Sequence, residues 1–157
     1  MRPTRPPLGL SLARAARVVS RAFDEALSDA GGSLPTWLVL LNLKIGRAGN
    51  QRRLAEAVGV TEATLTHHLN AMETAGLLTR RRDPNNRRIH VVELTDAGEA
   101  AFIRLREAAM AFDRRLRRGV SAGETAALED VLNRLAANVA DSEKGAPPWV
   151  GLIDGPI

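Results

Sequence analysis

Apolar residues recur at helical spacing toward both ends of the chain and at strand spacing in one short stretch between them. After Pro6-Pro7, residues 10–30 set Leu12, Ala16, Val19, Phe23, Ala26, Leu27 and Ala30 on one face at steps of three and four, which predicts a long amphipathic helix. Gly31-Gly32 ends it. A second helix starts at Ser33-Leu34-Pro35, where proline suits a first turn because its missing N–H is not needed there. It runs through Trp37, Leu38, Leu40, Leu41 and Ile45 to Gly46, is apolar on nearly every side, and is therefore expected inside. A third, short helix begins at Asn50 as N-cap, buries Leu54, Ala55 and Val58, and turns at Gly59.

The fourth helix is the most fully specified segment. Thr61 is its N-cap, and Val60 can staple onto Leu65. Leu65, Leu69 and Met72 form an inner stripe, and Gly76 sits where a left-handed residue ends a helix, with Leu77 packing back on Met72. The opposite stripe is Ala63, Thr66, His67, Asn70 and Thr74: small or polar, uncharged, and able to approach another surface closely. Period two follows. Leu77–Arg82 and Ile89–Leu94 read as two strands joined by the turn Asp83-Pro-Asn-Asn-Arg-Arg88, a hairpin with arginines at its tip. Thr95 caps a long helix to about Arg118, with Phe102, Leu105, Ala109, Phe112 and Leu116 as its seam. Ser121 opens a last helix in which Thr125, Leu128, Leu132, Leu135 and Val139 alternate steps of three and four, like a face that meets another chain. Packing on the chain's own first helix explains that seam equally well. Beyond Lys144 the tail has no periodicity.

Composition narrows the function. A length of 157 residues with 45% hydrophobic positions suits one domain or one lobed unit. The absence of cysteine removes thiol nucleophiles, thiolate metal sites and disulfides together. Aromatics at 3% with no tyrosine argue against a stacking platform for single strands. The densest apolar run, Trp37–Leu41, stops at Asn42, far short of a membrane span, so no membrane partner is expected. Residues 1–23 hold five arginines and no acid, a bias a transit peptide shares, but no apolar core of a secretory signal. An Arg/Pro leader entering an amphipathic helix, in a cytoplasmic protein, accounts for them.

Charge is unevenly placed. Residues 1–42 balance at +2, residues 43–92 at +5 and residues 93–157 at −3, within a net +4. A basic middle beside an acidic frame points to a polyanion partner for the middle. Arg52 and Arg53 at the third helix, and Arg80, Arg82, Arg87 and Arg88 on the hairpin, are the candidate phosphate contacts; for Arg52 and Arg53 a solvated helix surface serves nearly as well. Arg114, Arg115, Arg117 and Arg118 suit a helix C-terminus and need no further role. His67 and His68 point about 100° apart on a helix and cannot share a metal; His68 falls on the packed side, and His90 belongs to a solvated strand face. No metal or cofactor site is expected. Nor is catalysis: Gly46-Arg-Ala-Gly49 lacks what a dinucleotide or phosphate loop needs, and no catalytic constellation stands out.

Three helices with a tight turn between the last two, then an arginine-tipped hairpin, describe a winged helix-turn-helix. Gln51-Arg-Arg-Leu-Ala-Glu-Ala-Val-Gly-Val60, Thr64-Leu-Thr-His67 with Leu69, Met72-Glu73-x-x-Gly76-Leu77, the wing 83–88 and Leu94-Thr95-Asp-Ala-Gly98 together resemble the MarR family of bacterial transcription regulators. With the flanking helices, the resemblance covers about residues 8–142. It implies a mainly α fold with a small two- to three-stranded antiparallel wing: a winged helix-turn-helix plus a helical dimerisation lobe. It also implies a homodimer on double-stranded DNA at a palindromic operator. Thr61, Ala63, Thr66, His67 and Asn70 would then read bases. Arg88 would enter the minor groove, with Asn86 where the family has an aspartate, and His67 stands where the family often has arginine.

Divided this way, the chain has a leader at 1–9, a first dimerisation helix at 10–32, the winged lobe at 33–95, two more dimerisation helices at 96–142 and a tail at 143–157. Leu12, Val19, Phe112, Leu116, Leu128, Leu132, Leu135 and Val139 are the candidate dimerisation residues. The family places effectors between the lobes, which makes Trp37 a candidate contact for a small aromatic or anionic effector, although a core tryptophan is the simpler reading. The expected function is a DNA-binding regulator, a repressor, located in the cytoplasm at the nucleoid. A winged-helix dimer serving chiefly as a protein-interaction or ligand-binding module stays open beside it.

Overall fold

The computed structural model describes residues 6–46, 51–86 and 90–140. Its elements run α1 (Leu8–Asp29), α2 (Leu34–Lys44), α3 (Gln51–Val58), α4 (Glu62–Thr74), β1 (Leu78–Arg82), β2 (His90–Leu94), α5 (Asp96–Leu116) and α6 (Ala122–Val139). Their order is the expected one, mainly α with a two-stranded antiparallel sheet among the described residues. The expected N-cap Asn50, the wing arginines Arg87 and Arg88, and the tail 143–157 lie outside the described residues.

Helix α2 runs through the middle of the molecule because it has no polar side to give to water. Ser33 caps it, its hydroxyl accepting from the Thr36 N–H at 3.3 Å, and Pro35 stands in its first turn. Trp37, Val39, Leu40 and Asn42 are buried along it. Leu27 of α1, Leu54, Ala55 and Val58 of α3, Leu65, Leu69 and Met72 of α4, Leu78, Val92, Ala101 and Leu105 close one continuous core around it. Asn42, where the apolar run stops, is 1% exposed; its amide donates to the Leu38 carbonyl at 2.8 Å and its Oδ1 has no partner among the described residues.

Local chemistry sets the ends of α4. The Thr61 hydroxyl accepts from the Thr64 N–H at 3.2 Å. At the other end Gly76 takes φ +72°, its N–H bonding Glu73 O and the Leu77 N–H reaching Met72 O, both at 2.9 Å, which closes the last turn and redirects the chain into β1. Strands β1 and β2 pair from Leu78↔Leu94 to Arg82↔His90, so Leu78, Arg80 and Arg82 share the face of Val92 and Leu94 while Arg81 and Glu93 share the other.

The Thr95–Gly98 stretch joins the wing to α5. Thr95 Oγ1 donates to the Gly76 carbonyl at 2.6 Å and accepts from the Gly98 N–H at 3.1 Å, and the Thr95 N–H bonds the Leu77 carbonyl at 3.1 Å. Gly98 is where backbone meets backbone: a Cβ there would lie 1.9 Å from Leu77 O. Beyond it α5 packs on α1 through Phe23 and Phe112, ring centroids 4.9 Å apart, and on α2 through Trp37 and Phe102, 5.7 Å apart and nearly parallel. Helix α6 is different. Ser121 and Glu124 cap it reciprocally, yet it contains no buried residue.

Candidate nucleic-acid interface

The outward face of α4 is the uncharged stripe the pattern indicated. Thr61, Ala63, His67 and Asn70 are exposed and Thr66 is half-buried. Three of these side chains are already engaged, Thr61 with Thr64 as the cap of α4. Thr66 Oγ1 donates to the Glu62 carbonyl at 2.8 Å and accepts from Gln51 Nε2 at 2.7 Å, which ties the start of α3 to the middle of α4. Gln51 was not singled out from the sequence for this, although it stands at the head of the motif run 51–60. The Asn70 Oδ1 accepts from an Arg80 Nη2 at 2.6 Å. His67 and His68 have ring centroids 6.0 Å apart and tilted planes, with His68 half-buried.

Arg80 turns inward. Its Nε and Nη2 both donate to Glu73 Oε2, at 3.0 and 2.5 Å, and its backbone N–H reaches Glu73 Oε1 at 3.2 Å. One carboxylate thus holds the first strand of the wing by backbone and side chain against the end of α4. The hydrogen bonds and charge of Arg80 hold the Glu73 carboxyl below its ordinary value. Arg81, on the other face, pairs across the strands with Glu93 at 2.7 and 3.0 Å, which lowers Glu93 and raises Arg81 from their ordinary values. Arg82 is exposed and has no ion pair among the described residues. Together Glu73 and Arg80–Arg82 line an open recess of about 360 Å³ beside the stripe of α4.

The remaining candidates fall as follows. Arg52 is exposed and pairs loosely with Glu56 at 3.4 Å; Arg53 is exposed beside it. In the wing, Asp83 Oδ1 accepts the N–H groups of Asn85 and Asn86 at 2.7 and 3.2 Å, which folds the turn before the residues that carry Arg87 and Arg88. Trp37 is buried against Phe102, with Lys44 Nζ 6.0 Å from that second ring and bonded to Glu99 at 2.7 Å. Leu12, Leu116, Leu128 and Val139 are exposed, and Val19, Leu132 and Leu135 are half-buried. Phe112 is buried within its own chain against Phe23. Val131 on α6 and Ile103 and Met110 on α5 lie outside the expected seams and are exposed; Ile103 and Met110 lie seven residues apart, a two-turn spacing that marks one stripe. Among the described residues no helix is long and apolar enough to cross a membrane, and no group of three or more histidines and carboxylates is placed to hold a metal.

The MarR family profile matches residues 33–90, the span from the cap of α2 to the start of β2. A helix-turn-helix-type transcriptional regulator of Bacillus subtilis strain 168, the uncharacterised YdgJ, is 34% identical over 94 residues, which make up 60% of this chain and 57% of that relative's length. Among solved structures, the transcriptional repressor CouR bound to a 23-mer DNA duplex is 30% identical, with a TM-score of 0.75 over 83% of this chain and 92% of its own. A probable transcriptional regulator from Pseudomonas aeruginosa is 25% identical, with a TM-score of 0.71 over 82% of this chain and 96% of its own.

Proposed function

This chain belongs to the MarR family, and on that premise we propose that it is a sequence-specific, double-stranded-DNA-binding transcriptional regulator that works as a homodimeric repressor. One observation carries the proposal: an uncharged, exposed face on α4 stands beside a wing whose first strand is Leu-Thr-Arg-Arg-Arg. An α-helix fits the major groove, and a face without charge reads base edges at less desolvation cost than a charged one. Ala63, His67 and Asn70 reach the bases, Thr61 the flanking backbone, and Thr66 offers what its two internal hydrogen bonds leave free. Arg52, Arg53 and Arg82 neutralise phosphates, and Arg87 and Arg88 are assigned by type and sequence position to phosphate and minor-groove contacts. Arg80 is assigned to holding the wing, not to a phosphate.

The subunits pair through α1, α5 and α6. Leu8, Leu12, Val18, Ile103, Leu116, Leu128, Val131 and Val139 are apolar and exposed in the single chain, more than scattered surface hydrophobics explain. A two-fold dimer carries two copies of α4, which matches a palindromic operator with half-sites about one helical turn apart. A small aromatic or anionic effector that changes the spacing of the two copies releases the DNA, and Trp37, stacked on Phe102 where α2 meets α5, reports its binding by fluorescence.

The test is equilibrium binding to the duplex upstream of the chain's own gene, competed with unrelated duplex at fixed salt. The proposal expects the specific duplex to hold against a hundredfold excess of competitor. Equal competition by both duplexes refutes it.

A further inference from the structure

Thr66 stands in the outward stripe of α4 with a side chain held from a second helix. Its hydroxyl carries one proton, which goes to the Glu62 carbonyl at 2.8 Å. The same oxygen accepts from Nε2 of Gln51, the first residue of α3, at 2.7 Å. The head of α3 is itself fixed, because Leu54 and Ala55, within a turn of Gln51, are buried in one core with Leu65 and Leu69 of α4. A threonine inside a helix divides between two rotamers, since its hydroxyl can bond a preceding carbonyl. The bond from Gln51 favours the rotamer that meets it, and one neutral hydrogen bond biases such a population about fivefold.

We propose that Gln51 is a positioning residue for base reading: it fixes the rotamer of Thr66 and so sets the preference at the base pair that Thr66 meets, without touching a base itself. The inference rests on the DNA-reading proposal above and goes beyond it by bringing α3 into specificity. Its neighbours on α3 act differently. Arg52 and Arg53 are exposed and address phosphates, whereas Gln51 and Thr66 are both half-buried and their bond faces inward between the two helices. A phosphate contact adds the same affinity to every duplex; a residue that holds one reading side chain changes the preference at one pair.

The experiment profiles wild type, Gln51→Met, Thr66→Ala and the double variant on every single-base substitution of a duplex selected by the wild-type protein from a random pool. Thr66→Ala should flatten the preference at one pair per half-site by about tenfold, the scale of one base contact. Gln51→Met keeps the length and apolar stem of glutamine but donates nothing. It should flatten the preference at that same pair by about fivefold and leave the other pairs unchanged. On the Thr66→Ala background it should change no pair, because the side chain it acts through is gone. Should Gln51→Met fail to give a cooperative thermal melt, Gln51→Ala takes its place throughout. A uniform loss on every duplex, as packing damage or a lost phosphate contact would give, overturns the inference. So does a Gln51→Met effect at a pair that Thr66→Ala leaves unchanged, or a profile of either single variant identical to wild type. Each of these leaves the DNA-reading proposal standing, whereas a wild type that selects no duplex at all overturns that proposal and this inference with it.

Discussion

Replacing Gly98 with alanine tests whether the junction of wing and α5 is as tight as the structure has it. Gly98 is helical and buried, and its φ is not among the positive ones, so helix propensity alone favours alanine by about 1 kcal/mol. Packing argues the other way. The new methyl would stand 1.9 Å from Leu77 O, and that carbonyl must retreat by more than an ångström to reach ordinary contact. It cannot do so alone, since it accepts from the Thr95 N–H at 3.1 Å and lies next to Gly76 O, which accepts from Thr95 Oγ1 at 2.6 Å. Overpacking of this kind costs about 1–3 kcal/mol, and each loosened hydrogen bond about 1 kcal/mol. After the propensity gain, the net loss is about 2 kcal/mol, which for a chain of this size lowers Tm by roughly 4–8 °C. Thermal melts at one protein concentration measure it, with Gly123→Ala in α6 as the matched control. No heavy atom lies within 4 Å of the Cβ position at Gly123, so that change should be neutral or stabilising by about 0.5 kcal/mol. A Gly98→Ala variant that melts at or above wild type would show that Leu77 O does not pack against Gly98.

Three other perturbations give separate readings. Arg82→Ala, which removes an exposed wing cation without an ion partner among the described residues, should weaken all duplexes about equally and reduce the slope of log affinity against log salt by about one; a slope identical to wild type removes Arg82 from the interface. Leu132→Asp on α6 should convert a dimer to monomer in sedimentation equilibrium, while an unchanged dimer assigns the contact to other faces. Acid should loosen the wing: Arg80 lowers the folded pKa of Glu73, so the stabilisation is full above the usual value of 4.5 and is lost as pH falls through the lowered folded value. Wild-type Tm should therefore fall below about pH 4.5 more steeply than that of Glu73→Gln, and parallel curves would contradict the assignment.

Much of this fold follows from short-range chemistry that a single chain displays openly. Thr61 and Gly76 bracket α4 because a hydroxyl and a left-handed glycine solve local problems, and the alternation of Leu78, Arg80 and Arg82 against Val92 and Leu94 settles the faces of the hairpin. What sequence does not display is where a long or amphipathic side chain turns. Arg80 reads as a phosphate ligand by type and position; its partner Glu73 is seven residues away around a turn, and only the geometry of that turn brings the two together. Thr66 looked free for bases, yet Gln51, fifteen residues earlier, uses its hydroxyl. Phe112 is a candidate dimerisation residue by its place in the α5 seam, and Phe23 of the same chain covers it. Asn42 looked like the end of a buried run and is instead part of it. The uncharged stripe of α4 was legible because it is an absence, and an absence of charge does not depend on rotamer.

Selection of preferred duplexes from a random pool by the wild-type protein tests whether the α4 face of a dimer reads DNA. A dimer that reads through α4 should yield a two-fold symmetric consensus whose half-site centres lie about 10 base pairs apart, the distance between successive major grooves on one side of the duplex. A pool that emerges unenriched, or an enriched site with no internal symmetry, would contradict it.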